Sequence, residues 1–482
     1  METPTDSLNP SSGPNIILVV MDTCRYDTLL DLSDKGLLPR LQELISESAF
    51  FHNAIAPSPW TVPSHVSIFT GKYPNVHGVH ERRNFKQSEI IMKDSFKYKG
   101  EFLTEVLQQI GYFNYGFVTN PNLYPGFGFD RGFTYYQYVD MFGSMMHERE
   151  KLKINLRRRF PKSYENIENL ASNFSGNGLL NFLKKRKNIP TIPFLFSHLR
   201  RLNKLASENG YPLEKGGQNL ASEFVNSSFK EPFFIFFNFM EAHDPYKLDH
   251  GELLSGDGRK ILLNLAGEKR IRVRKIEEYK NTYKEEIKRL DCYIGMIIDY
   301  LKRKKVYEKS LIIITSDHGQ SFDEKNFYGH GTFLYDEIVR VPLIIKIPLG
   351  LRLEIKKGYQ PLTKLYEFII NAAMSHLNLD ILSSDSAFSE SFGIPDDYRQ
   401  ILRGREDLVK IIEKYDNRTV CLFENDRKVV IDLDEKKIVE VLNDGNVGFN
   451  NWLNSRRGVL EEFTNENLTY VFDGVSNEER SE

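Results

Sequence analysis

At 482 residues the chain is too long for one small core and suits one large α/β domain with additions. A hydrophobic content of 40% with 27% charged residues is that of an ordinary globular protein, and a formal net charge of −2 leaves no global field to draw it to nucleic acid or lipid. Three cysteines, Cys24, Cys292 and Cys421, make no disulfide framework. Residues 1–13 are polar, read as a disordered tail and lack the apolar core of a signal peptide. The longest apolar run, Phe233 to Met240, is far short of a membrane span, so the expectation is a cytoplasmic protein.

Ile16 to Val20 is an unbroken apolar run, as a central strand covered on both faces requires. It ends at Asp22, a carboxylate where open α/β sheets place their ligands, or else a simple loop cap. Leu38, Leu41, Leu44 and Ile45 predict an amphipathic helix over 37–51. The stretch from Trp60 to Gly78 reads as a loop turning into one short helix. Pro63 suits the first helical position, Gly71 the left-handed cap, and Pro74 and Gly78 block extension. Thr61 is then expected on a surface-facing loop just ahead of the helix N-terminus, where backbone N–H groups and the dipole favour an anion. A hydroxyl there suggests a nucleophile facing a phosphate or sulfate ester.

A helix over 102–110, a strand over 112–118 and a glycine-rich loop over 120–133 come next. Residues 141–215 carry the basic clusters Arg157-Arg158-Arg159, Lys184-Lys185-Arg186-Lys187 and Arg200-Arg201. They read as a solvated helical subdomain, a lid over an anionic substrate or a docking face for an acidic partner. Pro232 to Phe239 is a buried strand running into Met240-Glu241-Ala242-His243-Asp244-Pro245-Tyr246. A long helix with Ile287, Leu290, Ile294, Ile297 and Leu301 precedes a strand over 311–314, which delivers Thr315-Ser316-Asp317-His318-Gly319. Gly329-His330-Gly331, a strand from Arg340 to Ile345 and a helix over 358–374 continue the chain. The runs 418–424 and 429–441 suggest a small antiparallel sheet.

The stretch Thr61-Val62-Pro63-Ser64-His65, with Thr70-Gly71, Tyr73-Pro74 and His77-Gly78, resembles the signature of the sulfatase branch of the alkaline phosphatase superfamily. The segment Gly128-Phe129-Asp130-Arg131-Gly132-Phe133, the His-x-Pro-Tyr at His243, Ser316-Asp317-His318-Gly319 and the run Glu337 to Ile344 extend it. The likeness covers roughly 14–140 and 216–375 and skips 141–215, which therefore looks like an insertion. It implies an α/β sandwich: a large, mostly parallel mixed sheet flanked by helices, with a small C-terminal antiparallel sheet. The implied division is a catalytic domain over 14–378 and a smaller unit over 379–482.

Four departures matter. Thr61 stands where sulfatases carry the Cys or Ser converted to formylglycine, His65 stands where they carry Arg, and Thr23 stands where many have a second Asp. A Gly-Lys-Trp-His segment that binds sulfate in many sulfatases has no counterpart after Tyr112. The resemblance implies a metal set of Asp22, Thr61, Asp317 and His318, and catalytic roles for Thr61, His243, His330 and His65. Two hard carboxylates and an imidazole suit one divalent ion, calcium, magnesium or manganese, with zinc as the alternative. A second ion would need His243, His330 and a carboxylate such as Glu241 or Asp244.

The expected activity is metal-dependent hydrolysis of phosphoric or sulfuric esters through Thr61, with phosphoryl esters preferred. The partner is a small-molecule, glycan-linked or lipid-linked phosphate or sulfate ester. A transferase passing a phospho-substituent to a sugar or lipid, and an inactive binding protein, are the alternatives.

Overall fold

The structure is a computed structural model that describes residues 13–80, 98, 100–139, 215–246, 273–348, 357–395, 410, 412–442, 449–469 and 471–472. The tail read over 1–13, apart from Gly13, and the stretch 141–215, apart from Lys215, lie outside the described residues.

The first strand, β1 (Asn15–Met21), lies in the middle of an eight-stranded sheet. Side chains alternate along a strand, and both faces of this one are buried. Ile17, Val19 and Met21 enter one apolar core, and Ile16, Leu18 and Val20 the other. Helices α1 (Tyr26–Asp34) and α2 (Pro39–Ile45) cover the first of these faces with Leu29, Leu32, Leu41 and Leu44.

The single helix expected over 37–51 is instead α2 and then a strand, β2 (Ala49–Ile55). Ser46, Glu47 and Ser48 break the apolar stripe, and Ala49-Phe50-Phe51 pairs with a later strand rather than packing as a helix. Next come α3 (Thr61–Thr70) and a separate short helix α4 (Pro74–His77). Pro63 is thus the third residue of α3, not the first, and Thr61 opens the helix instead of preceding it. Proline is tolerated there because the first-turn N–H groups have no acceptor within the helix. Gly71 caps α3 at φ +69° as expected, but Pro74 begins a new helix, and Gly78 caps that one in turn.

The order continues through α5 (Leu103–Gln109), β3 (Phe113–Val118), β4 (Tyr135–Tyr138), α6 (Gly217–Asn226) and β5 (Phe233–Phe239). After α7 (Val273–Arg303) come β6 (Ser310–Thr315), the hairpin pair β7 (Ser321–Phe322) and β8 (Tyr328–Gly329), α8 (Asp336–Val339) and β9 (Arg340–Lys346). The helix expected over 358–374 starts later, as α9 (Lys364–Ala373). The residues before it form β10 (Gln360–Pro361), which adds to the sheet beside β2.

Strand order is β10-β2-β9-β6-β1-β5-β3-β4, and β9 alone runs against its neighbours β6 and β2. α6 and α7 join α1 and α2 on one face, whereas α3, α5 and α9 cover the other. Because β6, β1, β5 and β3 are parallel, their C-terminal ends share one edge of the sheet.

A second, four-stranded antiparallel sheet has the order β11 (Ser386–Ser391), β12 (Thr419–Glu424), β13 (Arg427–Asp432) and β14 (Lys437–Leu442). Val420, Leu422, Val429 and Ile431 pack on Trp452, Leu453 and Leu460 of α10 (Phe449–Thr464). The run read over 429–441 is two strands, and β11 carried no signal strong enough to find it. Glu390 of β11 donates its N–H to Pro57 O at 2.9 Å, while Gly331 donates to Pro59 O at 2.9 Å. The loop entering α3 is therefore gripped from two sides.

Candidate active site

Three parallel strands deliver the polar groups. β1 ends in Asp22, β6 in Asp317 and His318, and β3 in Thr119 and Asn120; all are buried. Thr23 adopts φ +61°, an uncommon state for a β-branched residue, and this turn points its N–H at Asp317 Oδ1, 3.3 Å away. Asp317 Oδ1 also accepts from His318 N at 3.0 Å. The Ser316 hydroxyl ties the two strand ends together by donating to Met21 O and accepting from Cys24 N.

The Thr61 hydroxyl lies 3.4 Å from His318 Nε2 and 3.4 Å from Asn120 Nδ2. It is buried at 2% exposure, not on an open loop surface, because α3 packs its first turn against the sheet edge. Asn120 Nδ2 donates to Asp22 Oδ2 at 2.7 Å, and Asn238 Nδ2 reaches the same oxygen at 3.1 Å. His65 is one turn along α3. Its Nδ1 faces Thr61 O at 2.9 Å and Asp317 Oδ2 at 3.4 Å, and its Nε2 lies 3.4 Å from Asn238 Nδ2. A ring nitrogen against a carbonyl must donate, so Nδ1 carries the proton and Nε2 accepts. His65 thus holds the Thr61 main chain from behind.

The donor set fits a divalent ion. Asp22, Asp317 and His318 offer ligand atoms within 4.8 Å of one another. Asp22 Oδ1 and Asp317 Oδ2 are buried and have no hydrogen-bond partner, which is costly unless a cation completes them. Burial raises both carboxyls above their ordinary range, and their mutual repulsion raises Asp22 further. His318 Nδ1 donates to Gly319 O at 2.9 Å, which leaves the Nε2 lone pair 3.4 Å from Asp317 Oδ2. Burial pushes His318 down to about 4, so the ring is neutral, as a ligand must be.

A second group, His243, Asp244 and His330, likewise has ligand atoms within 4.8 Å. The His330 ring stacks on His318 at 4.6 Å and meets His243 edge-on at 4.9 Å, so three imidazoles run in a row from the first group. Gln320 Oε1 holds His330 Nδ1 at 2.6 Å, and burial keeps His330 well below its ordinary value. His243 differs. Burial disfavours its cation, yet Asp244 Oδ1 at 3.0 Å and the Asp22 charge outweigh that and raise it to about 9.

Asn120, Asn238 and Gln320 were not singled out from sequence. The available signal was polar residues at the C-terminal ends of apolar strands: Asn238 interrupts the phenylalanines of β5, and Asn120 lies just beyond β3.

Such a crevice, with carboxylates, imidazoles and a hydroxyl gathered beyond the strand ends of an α/β sheet, lies where such sheets place their ligands, on a sulfatase/alkaline-phosphatase-like fold. A family model described as sulfatase matches residues 14–374, and the chain belongs to the sulfatase family. The choline-sulfatase of Rhizobium meliloti is 23% identical over 357 residues, 70% of this chain and 63% of that protein, so the match spans less than two thirds of the relative. A 2-O GAG sulfatase superposes with a TM-score of 0.60 at 13% identity, covering 94% of this chain and 92% of that one. The phosphonate monoester hydrolase of Agrobacterium radiobacter gives 0.59 at 14% identity, covering 93% and 94%. At these identities the structures speak for the fold. Among the described residues no helix is long and apolar enough to cross a membrane.

Proposed function

We propose that the chain hydrolyses small-molecule, glycan-linked or lipid-linked esters through Thr61, with one divalent ion held by Asp22, Asp317, His318 and the Thr61 oxygen, and that it prefers phosphoryl to sulfuryl esters. The observation that carries this reading is the Thr61 hydroxyl, 3.4 Å from both His318 Nε2 and Asn120 Nδ2, beside two partnerless carboxylate oxygens.

An ion bound there would lower the pKa of the Thr61 hydroxyl and offset charge on the transferred group. Thr61 Oγ1 loses its proton to solvent and attacks phosphorus in line. The bond to the leaving oxygen breaks, and its electron pair departs with that oxygen. The His243 imidazolium supplies the proton that the leaving oxygen needs. Asn120 Nδ2 donates to a non-bridging oxygen, and His330, fixed through Gln320, borders the same group. Water then attacks the threonine phosphoryl ester. His243, now neutral, takes a proton from that water, and Thr61 Oγ1 leaves with the electron pair of its bond to phosphorus and takes a proton from solvent to restore the hydroxyl. His65 acts at one remove, by fixing the Thr61 carbonyl.

The preference for phosphorus comes from the nucleophile. A formylglycine hydrate expels sulfate by C–O cleavage, so water never has to attack an enzyme sulfate ester. A threonine sulfate has no such escape, whereas a threonine phosphate can be opened by water at phosphorus. His65 in place of Arg, and the missing Lys and His, remove further positive charge from the pocket that would hold sulfate. The deciding measurement is the ratio of kcat/KM for matched aryl phosphodiester, phosphonate and sulfate substrates, with calcium, magnesium, manganese and zinc each supplied. A ratio favouring sulfate overturns the preference.

A further inference from the structure

Lys215 is the last residue of the basic stretch 141–215, yet its side chain is completely buried. Its Nζ donates to Glu241 O at 2.7 Å and also to His243 O. These two carbonyls belong to the turn that presents His243 and Asp244. The neighbouring residues grip the same turn: Gly217 N donates to Glu241 Oε1 at 3.1 Å. A Cβ at Gly217 would lie 2.5 Å from that carboxylate oxygen, so any side chain there would displace the Glu241 carboxylate. The Lys215 ammonium also lies 5.5 Å from the Tyr246 ring centroid, at the far end of the turn, and its charge favours the Asp244 carboxylate. A buried ammonium is strongly disfavoured unless compensated, and much of its compensation comes from the backbone around His243.

We propose that Lys215 is a positioning residue for leaving-group protonation: its ammonium fixes the backbone of the 241–246 turn, so that the His243 imidazole stays where the leaving oxygen departs. The step it serves is the transfer of the His243 ring proton to that oxygen as the ester bond breaks and its electron pair leaves with the oxygen. The inference rests on the reading of His243 as that proton donor. Lys215 touches no substrate. It acts on the turn through the backbone carbonyls of Glu241 and His243.

Leaving groups separate this role from a merely structural one. A 4-nitrophenolate departs without a proton, whereas an alkoxide needs one, so misplacing His243 penalises poor leaving groups selectively. The experiment compares kcat/KM on phosphodiesters graded from 4-nitrophenyl to alkyl leaving groups. The proteins are wild type, Lys215→Met, His243→Ala and the double variant, each checked for metal content and Tm. Lys215→Met should lose about 100-fold on the alkyl ester and less than about 5-fold on the nitrophenyl ester. His243→Ala should show the same slope, and the double variant should fall no further than the worse single one.

Equal losses on all esters for Lys215→Met, with a steep slope for His243→Ala, overturn the inference alone. A flat profile for His243→Ala overturns the reading of His243, and the inference falls with it. If Lys215→Met does not fold, Lys215→Gln, a neutral donor, is judged by the same slope.

Discussion

The two groups of histidine and carboxylate are built from the same residue types and lie against one another, but their electrostatics are opposite. Around Asp22, Asp317 and His318 the imidazole is held neutral, and two buried carboxylate oxygens have no partner. Around His243, Asp244 and His330 one oxygen of the carboxylate is matched within the group, because Asp244 Oδ1 sits 3.0 Å from His243 and raises it to about 9, while Asp244 Oδ2 alone is left without a hydrogen-bond partner. The first group lacks a positive charge and calls for an ion. The second already contains one and can give up its proton. Both pairs are neighbours in sequence, but Asp244 turns Oδ1 onto the His243 ring at 3.0 Å, whereas Asp317 turns its Oδ1 back onto the N–H groups of Thr23 and His318 and leaves only Oδ2 facing the His318 ring, at 3.4 Å.

The largest effect expected from this contrast is at the nucleophile. Thr61→Ala should remove roughly three or more orders of magnitude of kcat with metal content kept, since Asp22, Asp317 and His318 remain. Retention of near-full activity would end the assignment of Thr61. Next is the ion itself. Asp317→Asn should lower bound metal and turnover together, by about 100-fold or more in kcat, measured by elemental analysis beside kinetics. Chelation of the wild type should abolish activity, and the right divalent ion should restore it.

Metal content also tests the contrast between the groups directly: one ion per chain is expected. Two ions, with the second lost in Asp244→Asn, would mean that the His243 group is also a metal site. A smaller loss, about 10-fold to 100-fold, is expected for Asn120→Ala, because one neutral donor to the transferred group is removed while Asp22 keeps Asn238. An unchanged kcat in that variant would reduce Asn120 to a support for Asp22.

Legibility in the sequence differs between the two kinds of residue. Strand-end carboxylates announce themselves: an unbroken apolar run such as Ile16 to Val20 must be a central strand, and the residues just past its end must lie at the sheet edge. Asp22, Asp317 and His318 are found on that ground together with the family likeness. Asn120, Asn238 and Gln320 are missed because an amide has no distinctive spacing, and its role exists only once β3, β5 and β6 are assembled in one parallel sheet. Lys215 reads as part of a basic stretch, since nothing in a local window separates a buried lysine from a solvated one. The 37–51 error has the same root. Apolar spacing alone carries α2 across Ser46 to Ser48, and the pairing of β2 with β9 is a long-range fact that no window contains.

The smallest effect concerns another buried carboxylate, which has no cation close enough to match it fully. Glu390 on β11 is completely buried and accepts from Asn75 N at 3.0 Å, with Arg418 at 3.5 Å and the Tyr73 phenol also nearby. Burial outweighs the Asn75 N–H and the Arg418 charge and raises it from 4.5 to about 7. A carboxyl whose folded value lies above its unfolded one is harmless below the unfolded value. It then costs stability progressively as pH rises through the folded value, because the unfolded chain ionises first. Glu390→Gln removes that titration. The Tm difference between variant and wild type should therefore move in the variant's favour from pH 4.5 to pH 8, by the equivalent of about 2 kcal/mol. Thermal melts across that range measure it, with the Thr61 site and its metal content as internal controls that should not change. A difference that stays constant with pH would show that Arg418 matches Glu390 as completely as Asp244 matches His243, and the distinction between filled and unfilled carboxylates would not extend to this end of the molecule.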